Sequence, residues 1–298
     1  MSIDQRVAGA PISWGVCEVP GWGHQIAPDR VFTEMREVGL AATEAGPEDF
    51  LPWAGGGVGA FLAERGLGLV GGFVPAVLHR DREAALADVR AAAARLVGAG
   101  GEVVVLAAAT GAQGYDGRPE LSAAEWDVLT GTLDAAVEVG AQLGARVVLH
   151  PHMGTIVEGP EDVARVLEGS SVPLCVDTGH LLIGGVDPYE LVRDATARVT
   201  HVHLKDVDAG LAARVQAGEL SYTTAITQGL YRALGAGDVD VAGIVTTLEH
   251  DGYAGWYVLE QDLVLAEEPP AGAGPVLDVR ASRNFLLELG ARVAATRG

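Results

Sequence analysis

Eight short apolar runs alternate strictly with eight longer helical patterns, and this alternation limits the fold more than any other feature of the 298-residue chain. The runs fall at 7–13, 40–46, 67–74, 102–108, 145–152, 172–177, 198–206 and 255–262, bounded by Gly, Pro or Asp. The segments between them carry helix signals. Pro28 and Asp29 open one that Gly39 closes, and Ser122 with Glu125 three residues on forms a capping box. Strands alternating with helices imply right-handed βαβ units on a parallel sheet. Eight such units predict an α/β fold with a single closed (β/α)8 TIM barrel spanning 1–298 as one domain. An open doubly wound sheet is the competitor, but no GxGxxG follows the first run and polar residues close many strands rather than one crevice. The longest insertion, at about 207–237, is expected to cap the barrel mouth.

Composition narrows the partners. Hydrophobic residues make up 49% of the chain, ample for a large core, and the formal net charge is −20. Such a surface repels phosphate backbones and anionic membranes, so neither nucleic acid nor a membrane is an expected partner. The plainer meaning of the acidity is solubility. Only Cys17 and Cys175 are present, with no CxxC pair, and Cys175 reads as a small core residue. The first residues lack a basic segment followed by an apolar stretch, and no apolar run nears the ~20 residues of a membrane helix. The expectation is a cytoplasmic, soluble protein.

Five of the eight histidines lie between 150 and 203, in "VVLHPHMGT", "PLCVDTGH" and "VTHVHLKDVD". In a parallel barrel the C-terminal strand ends share one pocket. Alternation along a strand gives His150 and His152 one face, and His201 and His203 one face. The sixth run ends at Asp177 and the eighth carries Glu260. Two imidazoles and two carboxylates from four neighbouring strands make a divalent-metal site suited to Mn, Co, Fe, Zn or Mg. Each residue alone has a plainer reading: a strand-end histidine hydrogen-bonds locally, Asp177 caps the next turn, Glu260 is an ordinary acid. Together they weigh more, because unpaired buried charge is expensive.

The motifs resemble those of the xylose-isomerase-like sugar-phosphate isomerase/epimerase superfamily, and within it the inosose (2-keto-myo-inositol) dehydratase family. "GAPISWG" looks like that family's opening strand with its "APIGW" run, and "TEAG" resembles its "TEVG". "HPHMGT", "DTGH" and "HVHLKDV" are similar to its "HHHLGT", "DTGH" and "HVHFKDV"; "QGLY", "GAGDVD" and "GWYVLEQD" resemble later segments, so the likeness covers nearly the whole chain. DTGH and HVHxKD recur across the superfamily, whereas HPHMGT is narrower.

Carried over by position, the resemblance implies metal ligands at His150, Asp177, His203 and Glu260, with Mn2+ or Co2+ preferred and Mg2+, Fe2+ and Zn2+ as further candidates. In the superfamily's epimerases a glutamate usually stands where this chain has His150, and two facing glutamates serve as acid and base. Keeping only Glu260 favours a reaction with one base and a separate acid. Glu260 is the expected base, with His152 and His180 as acids or substrate contacts. Lys205 and Asp206 are expected to bind substrate hydroxyls or hold the ligands, and Lys205 to support enolate charge. His201 is either a packed neighbour of the ligands or a substrate contact. Trp14 and Glu44 are expected on the opposite wall, Trp14 with core packing as its alternative. The implied activity is metal-dependent dehydration of an inosose-like keto-polyol through an enolate, acting on a small-molecule keto-sugar in a possible homo-oligomer. Three alternatives stand beside it: a ketose isomerase or epimerase using the same site, a lyase on another keto-sugar or keto-glycoside, and a non-catalytic sugar-binding barrel. A zinc phosphodiesterase of the endonuclease IV type needs a basic DNA face that a charge of −20 does not offer.

Overall fold

The computed structural model describes residues 2–112 and 114–296. Eight parallel staves form the sheet: β1 (Val7–Gly9), β2 (Ala42–Thr43), β3 (Gly68–Leu69 continued by Gly71–Ala76), β4 (Val103–Ala108), β5 (Arg146–Leu149), β6 (Leu174–Asp177), β7 (Val199–Leu204) and β8 (Tyr257–Leu259). Around the sheet the order is β3-β2-β1-β8-β7-β6-β5-β4 and back to β3. The two pieces of β3 face opposite neighbours, and Val70 between them joins the ring. Its N–H donates to Thr43 O on β2 at 2.9 Å, and its carbonyl accepts from Val103 N on β4 at 3.1 Å. The expected TIM barrel is therefore the fold observed.

Helices wrap the staves: α1 (Pro28–Val38), α2 (Val58–Glu64), α3 (Arg82–Gly98), α4 (Ala123–Leu143) and α5 (Pro160–Gly169), then α6 (Thr178–Ile183) and α7 (Pro188–Ala195) after β6. After β7 come α8 (Ala209–Gln216), α9 (Tyr222–Thr227) and α10 (Val241–His250), and after β8 comes α11 (Pro275–Thr296). Their ends follow local chemistry. Ser122 and Glu125 make the reciprocal capping box, and Gly39 closes α1 in the left-handed conformation, φ 91°. None of these helices is long and apolar enough to cross a membrane, among the described residues.

Several strands are shorter than the sequence predicts, among them β1, β2, β5 and β8. β1 stops at Gly9 because Pro11, which has no N–H to donate to a ladder, opens a 3-10 turn over Pro11–Trp14. β2 shrinks to two residues, and its run breaks at Gly46, φ 69°.

The barrel interior is filled by small side chains, among them Ala8, Ala42, Val105, Val148, Cys175 and Val258. A larger apolar layer lies between sheet and helices. A third cluster, with Trp22, Met153, Ile183, Tyr222, Ile226 and Tyr231, gathers under the segment after β7. That segment carries α8, α9 and a two-stranded antiparallel ribbon, Asp206–Val207 with Tyr231–Arg232. The register between staves sets up the site: Asp177 on β6 lies beside His203 on β7, and His203 beside Val258 on β8.

Candidate active site and metal centre

The DTGH segment shows how the sequence builds the pocket floor. Asp177 ends β6 and caps α6, its Oδ1 accepting from Gly179 N at 2.9 Å and His180 N at 2.8 Å. Thr178 ties this corner to β7: its hydroxyl donates to Lys205 O at 2.6 Å and accepts from Lys205 N at 2.9 Å. Glycine is needed at 179 because a Cβ there would sit 2.7 Å from Lys205 Cβ and 2.9 Å from the Tyr231 ring. His180 then reaches Lys205, Nε2 to Nζ, at 3.0 Å.

Asp177 Oδ2 points the other way, into a cluster drawn from β5–β8. It lies 3.3 Å from His150 Nε2 and 3.6 Å from His203 Nδ1. His203 Nδ1 is 3.2 Å from Glu260 Oε2. Donor atoms of Asp177, His203 and Glu260 all fall within 4.8 Å of one another, and so do those of His150, Asp177 and His180. His150 thus joins the first triplet through Asp177. Two further overlapping sets, His150–Cys175–His203 and Glu44–His201–His203, meet the same distance. His203 Nδ1 is buried and makes no hydrogen bond of normal geometry, and His150 Nδ1 is likewise buried without a partner. His203 Nδ1, set between two carboxylates, and His150 Nε2, beside Asp177, could serve as donors to a divalent cation.

A cavity of roughly 330 Å3 opens above this cluster, a size that suits one sugar-like molecule. Its lining includes His150, His152, His203, Lys205, Glu260 and Asp262, together with Glu44, Phe73, Tyr115, Trp22 and Tyr222. Lys205 is the only lysine in the cavity lining among the described residues. Its ammonium sits 2.7 Å from Asp262, 3.1 Å from Glu260 and 3.5 Å from Asp177. Burial opposes its charge, but these three carboxylates outweigh it and hold its pKa well above the usual value. Burial likewise opposes charge on Asp177 and Glu260. Lys205 and His180 at the first, and His203 and Lys205 at the second, pull both below the usual carboxylate range. Asp262 moves up instead, chiefly through burial. Burial also pushes His152 and His180 well below the ordinary imidazole pKa, helped by His150 at the first, by His152 at the second and by Lys205 at both. The two ring centroids lie 3.8 Å apart with the planes tilted by 37°.

Two expected residues stand apart from the cavity, and His201 takes the packed position that was one of its two expected readings. Trp14 does not line the cavity; the 3-10 turn drops its ring into the core, where the indole N–H donates to Glu34 at 2.8 Å. Asp206 turns away from the cavity, its carboxylate accepting from the backbone N–H of Val207, Gly235, Gly237 and Val239 and so tying down the segment after β7. His201 packs beneath His203 and donates to Glu44 at 2.8 Å. The structure adds residues that the sequence did not single out. Asp262 accepts from Lys205 and, at 2.9 Å, from the Tyr222 hydroxyl, which also meets Tyr231 at 2.9 Å. Asp262 lies two residues past Glu260, so strand alternation was the available signal. Tyr222 and Tyr231 come from the inserted segment and carry no such signal.

Comparison with known proteins agrees with this architecture. Residues 32–284 match the family described as xylose isomerase-like TIM barrel. The chain belongs to that family. It is 33% identical to the inosose dehydratase of Geobacillus kaustophilus, over 94% of this chain and 93% of that one. It is 32% identical to the rhizopine catabolism protein MocC of Rhizobium meliloti, over 98% and 90%. Among solved structures, an L-ribulose 3-epimerase superposes with a TM-score of 0.71 at 16% identity, covering 98% of this chain and 96% of that one. A probable 3-DHS dehydratase, AsbF from Bacillus anthracis, superposes at 0.68 and 14% identity, covering 95% and 98%. These last two likenesses concern the fold. The first relative is named as a dehydratase, and the epimerase and the probable dehydratase share its fold.

Proposed function

We propose that this protein is a divalent-metal-dependent dehydratase of a cyclic keto-polyol of the inosose class, with Mn2+ or Co2+ as the preferred ion. The observation that carries the reading is the convergence of Asp177 Oδ2, His203 Nδ1 and Glu260 Oε2, with His203 Nδ1 lacking any other bond. His150 completes the ligand set through its Nε2, beside Asp177. A bound cation would polarise the substrate carbonyl and favour loss of the neighbouring proton.

The rest of the chemistry belongs to the side chains. Loss of water requires a proton to leave carbon and a proton to reach the departing hydroxyl. Glu260 is ionised and lines the cavity, so it is the base. His203 and Lys205 make it a weaker base, but its conjugate acid is correspondingly stronger, and it can hand the proton to the hydroxyl on the same face. His152 and His180 are neutral, and Lys205 holds its proton tightly, so none of them is a ready acid. This replaces the separate acid expected from the sequence. His152 donates its Nδ1 hydrogen to Met153 O at 2.7 Å, which leaves Nε2 as an acceptor for a substrate hydroxyl. Lys205 offers a fixed positive charge for enolate oxygen.

Two observations favour a dehydratase over an epimerase. One is the likeness at 33% identity to an inosose dehydratase. The other is His150 on the fifth stave, where a second glutamate would serve to return a proton to the opposite face. The test is incubation with Mn2+ or Co2+ and 2-keto-myo-inositol. An ultraviolet-absorbing product lighter by one water supports dehydration. An isomer of unchanged mass indicates the epimerase reading instead, and absence of stoichiometric metal after reloading removes both.

A further inference from the structure

Glu44 leaves β2 and reaches across the barrel interior to β7. There a single oxygen, Oε1, lies 2.8 Å from His201 Nε2 and 3.0 Å from His203 Nε2. All three side chains are buried. An ionised carboxylate only accepts hydrogen bonds, so both Nε2 atoms must carry hydrogen. The two histidines are i and i+2 on one strand and therefore stack on the same interior face, which is why one oxygen can serve both. With Nε2 of His203 committed to Glu44, only Nδ1 can give up its proton and offer a lone pair to a cation. That atom faces Glu260 Oε2 and Asp177 Oδ2.

We infer that Glu44 is a positioning residue: by accepting from His203 Nε2 it fixes the ring's tautomer and rotation, so that the Nδ1 lone pair points at Asp177 and Glu260. This deepens the metal-site reading given above and rests on it. Glu44 keeps its place in the cavity lining, and support of a ligand is added to it. His201 is part of the same device, since its hydrogen bond holds Glu44 Oε1 midway between the strand's two imidazoles. Carboxylates that accept from the far nitrogen of a ligating histidine tune affinity without touching the ion. Removing Glu44 leaves Asp177 and Glu260, both on the Nδ1 side, as carboxylates beside the ring, and the ring hydrogen then moves to Nδ1, where it blocks the ligand direction.

Long-range 15N–1H correlation spectra of histidine-labelled protein read the tautomer directly, with His203 assigned from the spectrum of His203→Gln. In wild type, metal-free and Zn2+-loaded, His203 Nε2 carries a hydrogen-bonded proton. In Glu44→Ala that proton is lost from Nε2 and Nδ1 is protonated. Glu44→Gln, which keeps volume and one acceptor, retains the Nε2 proton and guards against misfolding of the alanine variant. Metal affinity measured by competition with a chelating dye falls roughly 10- to 100-fold in Glu44→Ala and less in Glu44→Gln. Three results overturn the inference. The first is a wild-type His203 without hydrogen on Nε2. The second is an unchanged metal affinity in Glu44→Ala with only KM raised, which makes Glu44 a substrate contact. The third is two ions per wild-type chain with one lost in Glu44→Ala, which makes Glu44, His201 and His203 a second ligand set. If wild type binds no metal at all, the proposed function fails while the spectra still decide the role of Glu44.

Discussion

Asp177 divides its two oxygens between structure and site. Oδ1 caps α6, and Oδ2 faces His150, His203 and Lys205. Substitution separates the two roles. Asp177→Asn keeps a capping acceptor and loses the charge; Asp177→Ala loses both. Equilibrium dialysis should find no retained metal in either variant, while denaturant unfolding of the metal-free proteins should place Ala below Asn by about 1 kcal/mol, the worth of a lost cap. One ion retained per chain in both variants removes Asp177 from the ligand set. Lys205 gives a second test at this scale. Three buried carboxylates surround it, so Lys205→Met leaves them without their fixed counter-charge and should cost the metal-free protein about 3–5 kcal/mol. Added Mn2+ should then raise the melting temperature more in this variant than in wild type; an equal rise means that the ion does not sit among those acids. Residues of this kind are only partly legible in a sequence. Alternation pairs His201 with His203 and equally pairs Glu260 with Asp262. What it does not reveal is that Glu260 and Asp262 both reach the cavity although the ladder of β8 ends at Leu259. Trp14 fails for the converse reason: the turn begun at Pro11 abandons the strand before the tryptophan is reached.

At the scale of elements, the barrel's closure depends on a close approach that only glycine permits. A Cβ on Gly71 would lie 1.9 Å from Val103 O, between the second piece of β3 and β4. Gly71→Ala must therefore push β3 and β4 apart, and a loss of about 1–3 kcal/mol in denaturant unfolding is expected, the usual scale of overpacking. Unchanged stability would mean that the seam between these staves is looser than drawn. The segment after β7 makes a different demand. Its Tyr222 hydroxyl donates to Asp262, which in turn holds Lys205. Tyr222→Phe should leave unfolding nearly unchanged, raise KM several-fold and alter metal affinity little; loss of metal would instead tie α9 to the ion. Helices were the easier elements to read, because Pro28, Gly39, Ser122 and Glu125 mark their ends with side-chain chemistry. The course of the segment after β7 was not legible. Asp206 organises it through four backbone N–H groups, contacts that no local pattern announces.

For the whole molecule, the gathering of imidazoles inside the barrel should govern how stability follows pH when no metal is bound. His150, His152, His180 and His201 are buried, and burial is the largest cause holding each below the ordinary imidazole pKa. Unfolded, each takes up a proton near pH 6.5. Below that pH the unfolded chain binds more protons than the folded one, so stability is lost as pH falls through about 6.5 and onward to the folded pKa values. Each histidine contributes up to about 1.4 kcal/mol per pH unit over that window. The carboxylates held low, Asp177 and Glu260, act in the same direction but only below the ordinary carboxylate pKa. His203 and Asp262 are raised and run the other way, and so does the easing of self-repulsion in a chain of net charge −20. Four against these leaves a net fall on acidification. Urea unfolding in EDTA at pH 7.5, 6.5 and 5.5 should therefore give a midpoint that drops with pH, and His152→Gln should flatten the decline. A midpoint that holds or rises toward pH 5.5 would mean that these rings are protonated in the folded protein, and with protons on their nitrogens they could not present lone pairs to a cation.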